Sequence, residues 1–172
     1  MEFRKCTMDD LELVSRFYDK VVDHLVSTVN YPKWIPGVYP GRDSTREVIS
    51  KGAQYMCIDG DSVLGACNYT PEPLDDYTRA GWLTPTAPGK FIGLRTVAAD
   101  PEHKKGVGTF MVSSAVEMAR SQGYQSLRVE TVPNNLPARK MFENAGFRFV
   151  EIFDLNIEMN GIPQVALYEK IL

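Results

Sequence analysis

A chain of 172 residues, 44% of them apolar and 24% charged, can bury one substantial core and lies far from the composition of disordered proteins. Nineteen Lys and Arg against 22 Asp and Glu leave a net charge of -3, so there is no global positive field and no nucleic-acid partner is expected. The start Met1-Glu2-Phe3-Arg4-Lys5 carries no apolar signal region and no apolar run reaches membrane-spanning length, so the expectation is one cytoplasmic domain over residues 1–172 with no membrane contact.

Phe3 to Cys6 reads as a strand, and Thr7 with Asp10 three residues on is a capping-box signal for the helix that follows. Leu11, Val14, Phe17, Tyr18, Val21, Val22 and Leu25 recur at spacings of three and four, which gives residues 9–26 one apolar face. Tyr31-Pro32-Lys33-Trp34-Ile35-Pro36-Gly37-Val38-Tyr39-Pro40 then forbids regular helix while supplying large aromatic surfaces. Ser44 and Glu47 signal a second, short helix ending near Gly52. Ala53 to Ile58 and Ser62 to Thr70 form a hairpin around Asp59-Gly60-Asp61.

Residues 71–89 hold Pro71, Pro73, Pro85 and Pro88 and are too long for a tight turn, which suggests a functional loop. Lys90 to Ala99, Val107 to Gln122 and Leu127 to Val132 read as strand, helix and strand, with Gly123 stopping the helix. A last helix runs from about Asn135 to Gly146. The final strands, Arg148 to Asn156 and Gln164 to Ile171, flank the turn signal Asn160-Gly161. Cys6, Cys57 and Cys67 lack metal-type spacing and only His24 and His103 could join them, so no metal site is expected. Cys57 and Cys67, in strand-like sequence, read as small buried hydrophobes.

The chemistry concentrates in Asp100-Pro101-Glu102-His103-Lys104-Lys105-Gly106-Val107-Gly108, set between a strand and an amphipathic helix. The first amides of a helix lack internal partners and carry positive partial charge, and glycine lets a ligand approach the backbone, so this turn suits a phosphate. A Walker loop would need Lys-Ser or Lys-Thr where Gly108 is followed by Thr109-Phe110. A dinucleotide fingerprint would use Glu130 on the next strand, but its third glycine is Met111 here; an NAD-type protein stays as the more distant alternative.

With His103-Lys104-Lys105-Gly106-Val107-Gly108 followed by Asn135, Ala138, Met141, Phe142, Glu143, Asn144, Gly146 and Phe147, the chain resembles the GNAT superfamily of N-acetyltransferases. The resemblance implies a mixed α/β fold with a central, mostly antiparallel sheet, split at the cofactor site and flanked by helices. It also implies acetyl-CoA as cofactor. The backbone of Val97, Ala98 and Ala99 would pair with the pantetheine arm like an added strand. The amides from Lys104 and Lys105 through Gly106, Val107 and Gly108 to Thr109 would hold the pyrophosphate, beside His103. Asn135, Ala138, Arg139 and Phe142 would line the thiol end, although Asn135 also suits a plain helix cap.

Two positions depart from the family pattern: His103 stands for the usual Arg or Gln, and Phe142 for the tyrosine that returns a proton to the leaving thiolate. An alkyl ammonium costs roughly 4 kcal/mol to deprotonate at neutral pH, whereas a thiolate expelled without a proton lies only about 2 kcal/mol above its thiol, so the base outweighs the acid. Glu130 is the candidate base, with a salt-bridged strand carboxylate as its bland alternative. Water or Tyr168 is left to act as the acid. For the acceptor, the resemblance points to Tyr31, Trp34, Tyr39 and the stretch from Glu72 to Trp82, which would receive a small-molecule or peptide amine. An acyl-CoA-binding module with little catalysis stays open, as does a homodimer.

Overall fold

The computed structural model describes residues 1–71, 78–103, 106–159 and 161–172, with residues 156–159 described by backbone alone. Among them run β1 (Glu2–Lys5), α1 (Leu11–Ser27), α2 (Arg42–Ser50), β2 (Gln54–Asp59), β3 (Ser62–Thr70), β4 (Phe91–Ala99), α3 (Val107–Ser121), β5 (Ser126–Thr131), α4 (Leu136–Asn144), β6 (Arg148–Met159) and β7 (Ile162–Ile171). The strands hydrogen-bond in the order β1-β2-β3-β4-β5-β7-β6, a mostly antiparallel open sheet in a mixed α/β fold. β4 pairs with β5 in parallel, with a register from Phe91↔Ser126 to Gly93↔Arg128. No helix of the described residues is long and apolar enough to cross a membrane.

The chain forms two compact units. The first holds Met1–Asn30, Trp34–Tyr69 and Thr96–Met111, and the second Tyr31–Lys33, Thr70–Arg95 and Val112–Leu172. In the first, Leu11, Val14, Phe17, Tyr18 and Val21 of α1 are buried in one cluster with Cys6, Ile49, Met56, Val63, Ala66 and Ala98, which is the apolar stripe read from the spacing. All three cysteines are buried free thiols. Burial pushes the Cys6 thiol up to about 12 and Cys67 higher still, which makes both poor nucleophiles.

The capping box holds, but over a 3-10 turn, Met8–Asp10, that leads into α1. The Asp10 carboxylate accepts from the Thr7 amide at 2.8 Å and from Arg4 at 2.9 and 2.7 Å. Ser44 is not the cap of α2: the cap lies three residues earlier, at Gly41, and the Gly41 amide donates to Ser44 Oγ at 2.9 Å. Glycine fits there because a Cβ would lie 3.1 Å from the carbonyl oxygens of Gly37 and Val38.

In the second unit, β7 starts at Ile162 rather than Gln164. Pro163, which cannot donate to a ladder, falls in the irregular stretch of β6–β7 pairing between Asp154 and Met159. Of the turn signal, Gly161 has φ 73° and Asn160 lies outside the described residues. A buried ion pair joins β5 to β7. Glu169, fully buried, accepts from Arg128 Nε at 2.9 Å and Ser126 Oγ at 2.7 Å, and from Leu83, Thr84 and the Thr84 hydroxyl. Burial alone would raise the Glu169 carboxyl, but the bonds from Thr84, Ser126 and Arg128 outweigh it and hold it below the usual range. The Arg128 guanidinium lies over Trp82 at 4.4 Å and Phe91 at 4.0 Å, so the same pair fastens residues 82–86 to the sheet.

Hydrogen bonding from Arg4 lowers the Asp10 carboxyl to about 2 from its ordinary 3.8. A carboxylate depressed on folding contributes stability that is complete above its unfolded value and lost as pH falls through the folded one. Asp10→Asn is therefore expected to cost about 1–2 kcal/mol at neutral pH. In urea titrations, that gap should close between about pH 4 and pH 2. A gap that persists unchanged at pH 2 would show that the Arg4–Asp10 charge pairing contributes nothing.

Candidate functional site

The turn from β4 into α3 is built around Asp100. Its amide donates to Leu64 O at 2.8 Å, its Oδ1 accepts from the Glu102 amide at 2.9 Å, and its carbonyl accepts from the His103 amide at 3.1 Å. Lys20 on α1 reaches both acids, Asp100 at 3.0 Å and Glu102 at 2.6 Å. Gly106 follows with φ 117°, a conformation open to glycine alone, and no described residue lies within 4 Å of where its Cβ would be. Its carbonyl accepts the Phe110 amide at 2.8 Å, the first bond of α3. The amides of Val107, Gly108 and Thr109 are therefore the orphan donors of the helix, beside an open glycine backbone. Lys104 and Lys105 lie outside the described residues, and His103 is exposed.

The helix start is fixed from below. Val107 and Met111 are buried with Cys57 and Leu64, packed by Phe3, Val97 and Phe110. A Cβ on Gly65 of β3 would lie 2.7 Å from the Met111 thioether and 2.9 Å from Val107 Cγ1, so α3 rests directly on the β3 backbone.

Val97, Ala98 and Ala99 follow a bend in β4. Thr96 has φ 50°, rare for a β-branched residue and costly unless its surroundings hold it. Three side chains do so. Tyr18 Oη donates to the Thr96 carbonyl at 3.2 Å, and Asn68 Nδ2 donates to Thr96 Oγ1 at 3.1 Å. The Tyr39 hydroxyl lies 2.7 Å from the same Oγ1. Trp34 meets Tyr18 edge-on with ring centroids 6.3 Å apart, and its backbone is bracketed by the Asn30 amide. Trp34 and Tyr39 are thus packed on α1 and β4 respectively. Tyr31, half-buried, belongs to the second unit, and 72–77 of the acceptor stretch lie outside the described residues.

In the second unit Glu130, on β5, has a side chain 19% exposed and lies 3.2 Å from Arg95 Nε on β4. Burial raises its carboxyl above the ordinary value, and Arg95 offsets this only in part. Asn135 is the N-cap of α4, with Oδ1 accepting the Ala138 amide at 3.2 Å. Arg139 donates to Tyr168 Oη at 2.8 Å and to Pro133 O at 3.0 Å, and Tyr168 donates in turn to Glu143 at 2.9 Å. Phe142 is buried against Phe147 and Tyr168, with centroids 5.8 and 6.1 Å apart. Tyr168 is wholly buried, and burial pushes its hydroxyl up. Three residues of these networks were missed in sequence: Arg95, Asn68 and Thr96. Arg95 left a signal, being the one charged side chain in the strand FIGLRTVAA.

The sequence profile of the acetyltransferase (GNAT) family matches residues 26–147. None of the curated proteins compared matches the chain by sequence. Among solved structures, a GNAT-family acetyltransferase from Streptococcus agalactiae aligns over 99% of this chain and 95% of its own, at 12% identity and a TM-score of 0.81. A ribosomal-protein-alanine N-acetyltransferase from Brucella melitensis aligns over 100% of both chains, at 15% identity and a TM-score of 0.72. yncA of Salmonella typhimurium, solved with its cofactor acetyl-CoA, aligns over 99% of this chain and 93% of its own, at 13% identity and a TM-score of 0.69. At these identities the likeness is one of fold.

The seat of α3 on Gly65 makes that position sensitive to volume. Gly65→Val is expected to lower stability by about 1–3 kcal/mol by overpacking against Val107. The same change should displace the first turn of α3 and weaken coenzyme A binding in calorimetry. Unaltered stability and binding would show that the contact is slack.

Proposed function

The chain belongs to the acetyltransferase (GNAT) family, whose cofactor is acetyl-CoA, and we propose that it moves the acetyl group directly to a primary amine with both substrates bound together. The observation that carries this is the open glycine turn at Gly106 followed by the orphan amides of α3. Three converging N–H donors with helix-end charge suit the pyrophosphate of a coenzyme. On this reading His103 and the 104–109 backbone hold the phosphates, and the backbone of Val97, Ala98 and Ala99 aligns the pantetheine arm. Asn135, Ala138, Arg139 and Phe142 enclose the thiol end. When bound, acetyl-CoA supplies an activated thioester, and the task of this chain is to orient it and manage protons.

Glu130 takes the proton from the amine. A carboxyl raised by burial is a better match to a neutral working pH than an ordinary one, because proton-transfer efficiency follows the match between acid strength and operating pH. Phe142 offers no hydroxyl to the departing sulfur. Of the two acids left open by sequence, water is preferred to Tyr168, whose hydroxyl is engaged by Arg139 and Glu143. Tyr31, Trp34 and Tyr39 offer aromatic surface to the acceptor, a small-molecule or peptide amine.

Calorimetry with coenzyme A tests the first step, and release of free thiol across L-lysine, spermidine, kanamycin and an alanine-initiated hexapeptide tests the second. Binding and turnover of at least one amine are expected. Binding without turnover would leave an acyl-CoA-binding module, and no binding would remove the assignment.

The pH profile of kcat/KM tests the base. Activity should fall as pH drops through an acid limb lying above the ordinary glutamate value of about 4.3. Glu130→Gln should abolish that limb and reduce kcat about 100-fold. An unchanged limb would exclude Glu130.

A further inference from the structure

The β4–β5 register ends at Gly93↔Arg128, and two residues further along each parallel strand stand Arg95 and Glu130. With the strand period of two, these side chains form the next same-face pair after the last backbone-bonded one. They meet at 3.2 Å, with 18% and 19% of their side chains exposed. The guanidinium folds back over Gly93, where the position a Cβ would take lies 3.6 Å from Arg95 Nε and 3.8 Å from Nη2. The arginine thus lies against the Gly93 backbone and spans to the neighbouring strand by charge.

Among the described residues, the neighbours of Glu130 along β5 and across on β7 do not compete for it. Arg128, two residues earlier on β5, is bound to Glu169 of β7, and the β7 residue opposite Glu130 is the buried, apolar Leu167. Arg95 is therefore the charge that sets where the Glu130 carboxylate points.

We propose that Arg95 is a positioning residue that holds the Glu130 carboxylate beyond the end of the β4–β5 ladder. This rests on the reading of Glu130 as the base. Arg95 does not exchange protons itself. It limits the rotamers of Glu130, and it opposes the upward shift that burial gives the carboxyl. Its loss should therefore act through the Glu130 titration and not through the coenzyme.

The test uses the full chain and the amine turned over fastest among lysine, spermidine, kanamycin and the hexapeptide. Arg95→Met is expected to move the acid limb of kcat/KM up by about one pH unit, because an opposite charge at this range lowers a carboxyl by about that much or more. It should lower kcat about 10-fold while leaving the KM for acetyl-CoA within about twofold. Arg95→Lys should bring the limb back toward wild type. Arg95→Gln, polar and of similar reach, repeats the test should the methionine disturb folding, and the same rise is expected.

A limb at the wild-type pH in both neutral variants would overturn the proposal. A second arm needs no substrate: carbon-13 NMR of labelled glutamate, with Glu130 assigned from Glu130→Gln, should show the Glu130 carboxyl titrating at higher pH in Arg95→Met. No change there would sink the role of Arg95 and leave the acetyltransferase reading standing. An unchanged acid limb in Glu130→Gln, or no turnover of any amine by the wild type, would instead remove the base itself, and this proposal with it.

Discussion

The amides that open an α-helix cannot be satisfied by the helix itself, and the account of this chain depends on where one such set is left open. At the start of α3 three influences converge. Gly106 turns through φ 117° with no described residue within 4 Å of its Cβ position, Val107 is buried, and Gly65 lets the first turn rest on the β3 backbone. Asp100, ion-paired with Lys20 and bonded to two amides of its own loop, fixes the approach from β4. What remains is a set of donors with positive helix-end charge, which suits the anion proposed for it.

Each unit adds a polar network to an otherwise apolar interior. In the first, Tyr18, Asn68 and Tyr39 converge on Thr96 and hold a left-handed residue within β4, with Gln54 donating to the Tyr18 hydroxyl. Strain of that kind persists only where neighbours over-determine it, and here it lies immediately before the backbone assigned to the pantetheine arm. In the second, the Arg128–Glu169 pair and the Arg139–Tyr168–Glu143 chain are satisfied by several bonds each. Removing one member of such a buried pair would leave an uncompensated charge and cost roughly 3–5 kcal/mol, so these networks fix geometry more than they add net stability. Glu130 differs from both. Its carboxyl is raised by burial and only partly countered by Arg95, which suits a group that must change its protonation state.

Periodicity and turn chemistry made most of the fold legible in the sequence. The stripe Leu11 to Val22 on α1, the hairpin around Asp59-Gly60-Asp61, the glycine stop at Gly123 and the cap at Asn135 are all local signals, and local hydrogen bonding decides them. Ser44 misled because its hydroxyl serves the Gly41 amide as an N3 acceptor, a role its residue type fills as well as that of cap. The glycine turn at Gly106 could be read because conformation and charge there are set within a few residues. Arg95 with Glu130, and Tyr39 with Thr96, could not: they join strands and loops 35 and 57 positions apart, and only register brings them together. The acceptor is least legible, because an aromatic loop such as Tyr31 to Tyr39 states the kind of surface offered and not its shape.

The most direct test of the anion cradle is amide NMR of the chain titrated with coenzyme A and, separately, with pantetheine, which lacks the pyrophosphate. The Val107, Gly108 and Thr109 amides should shift strongly with coenzyme A and stay nearly still with pantetheine. Equal responses to both, or movement elsewhere with these three unmoved, would contradict the account.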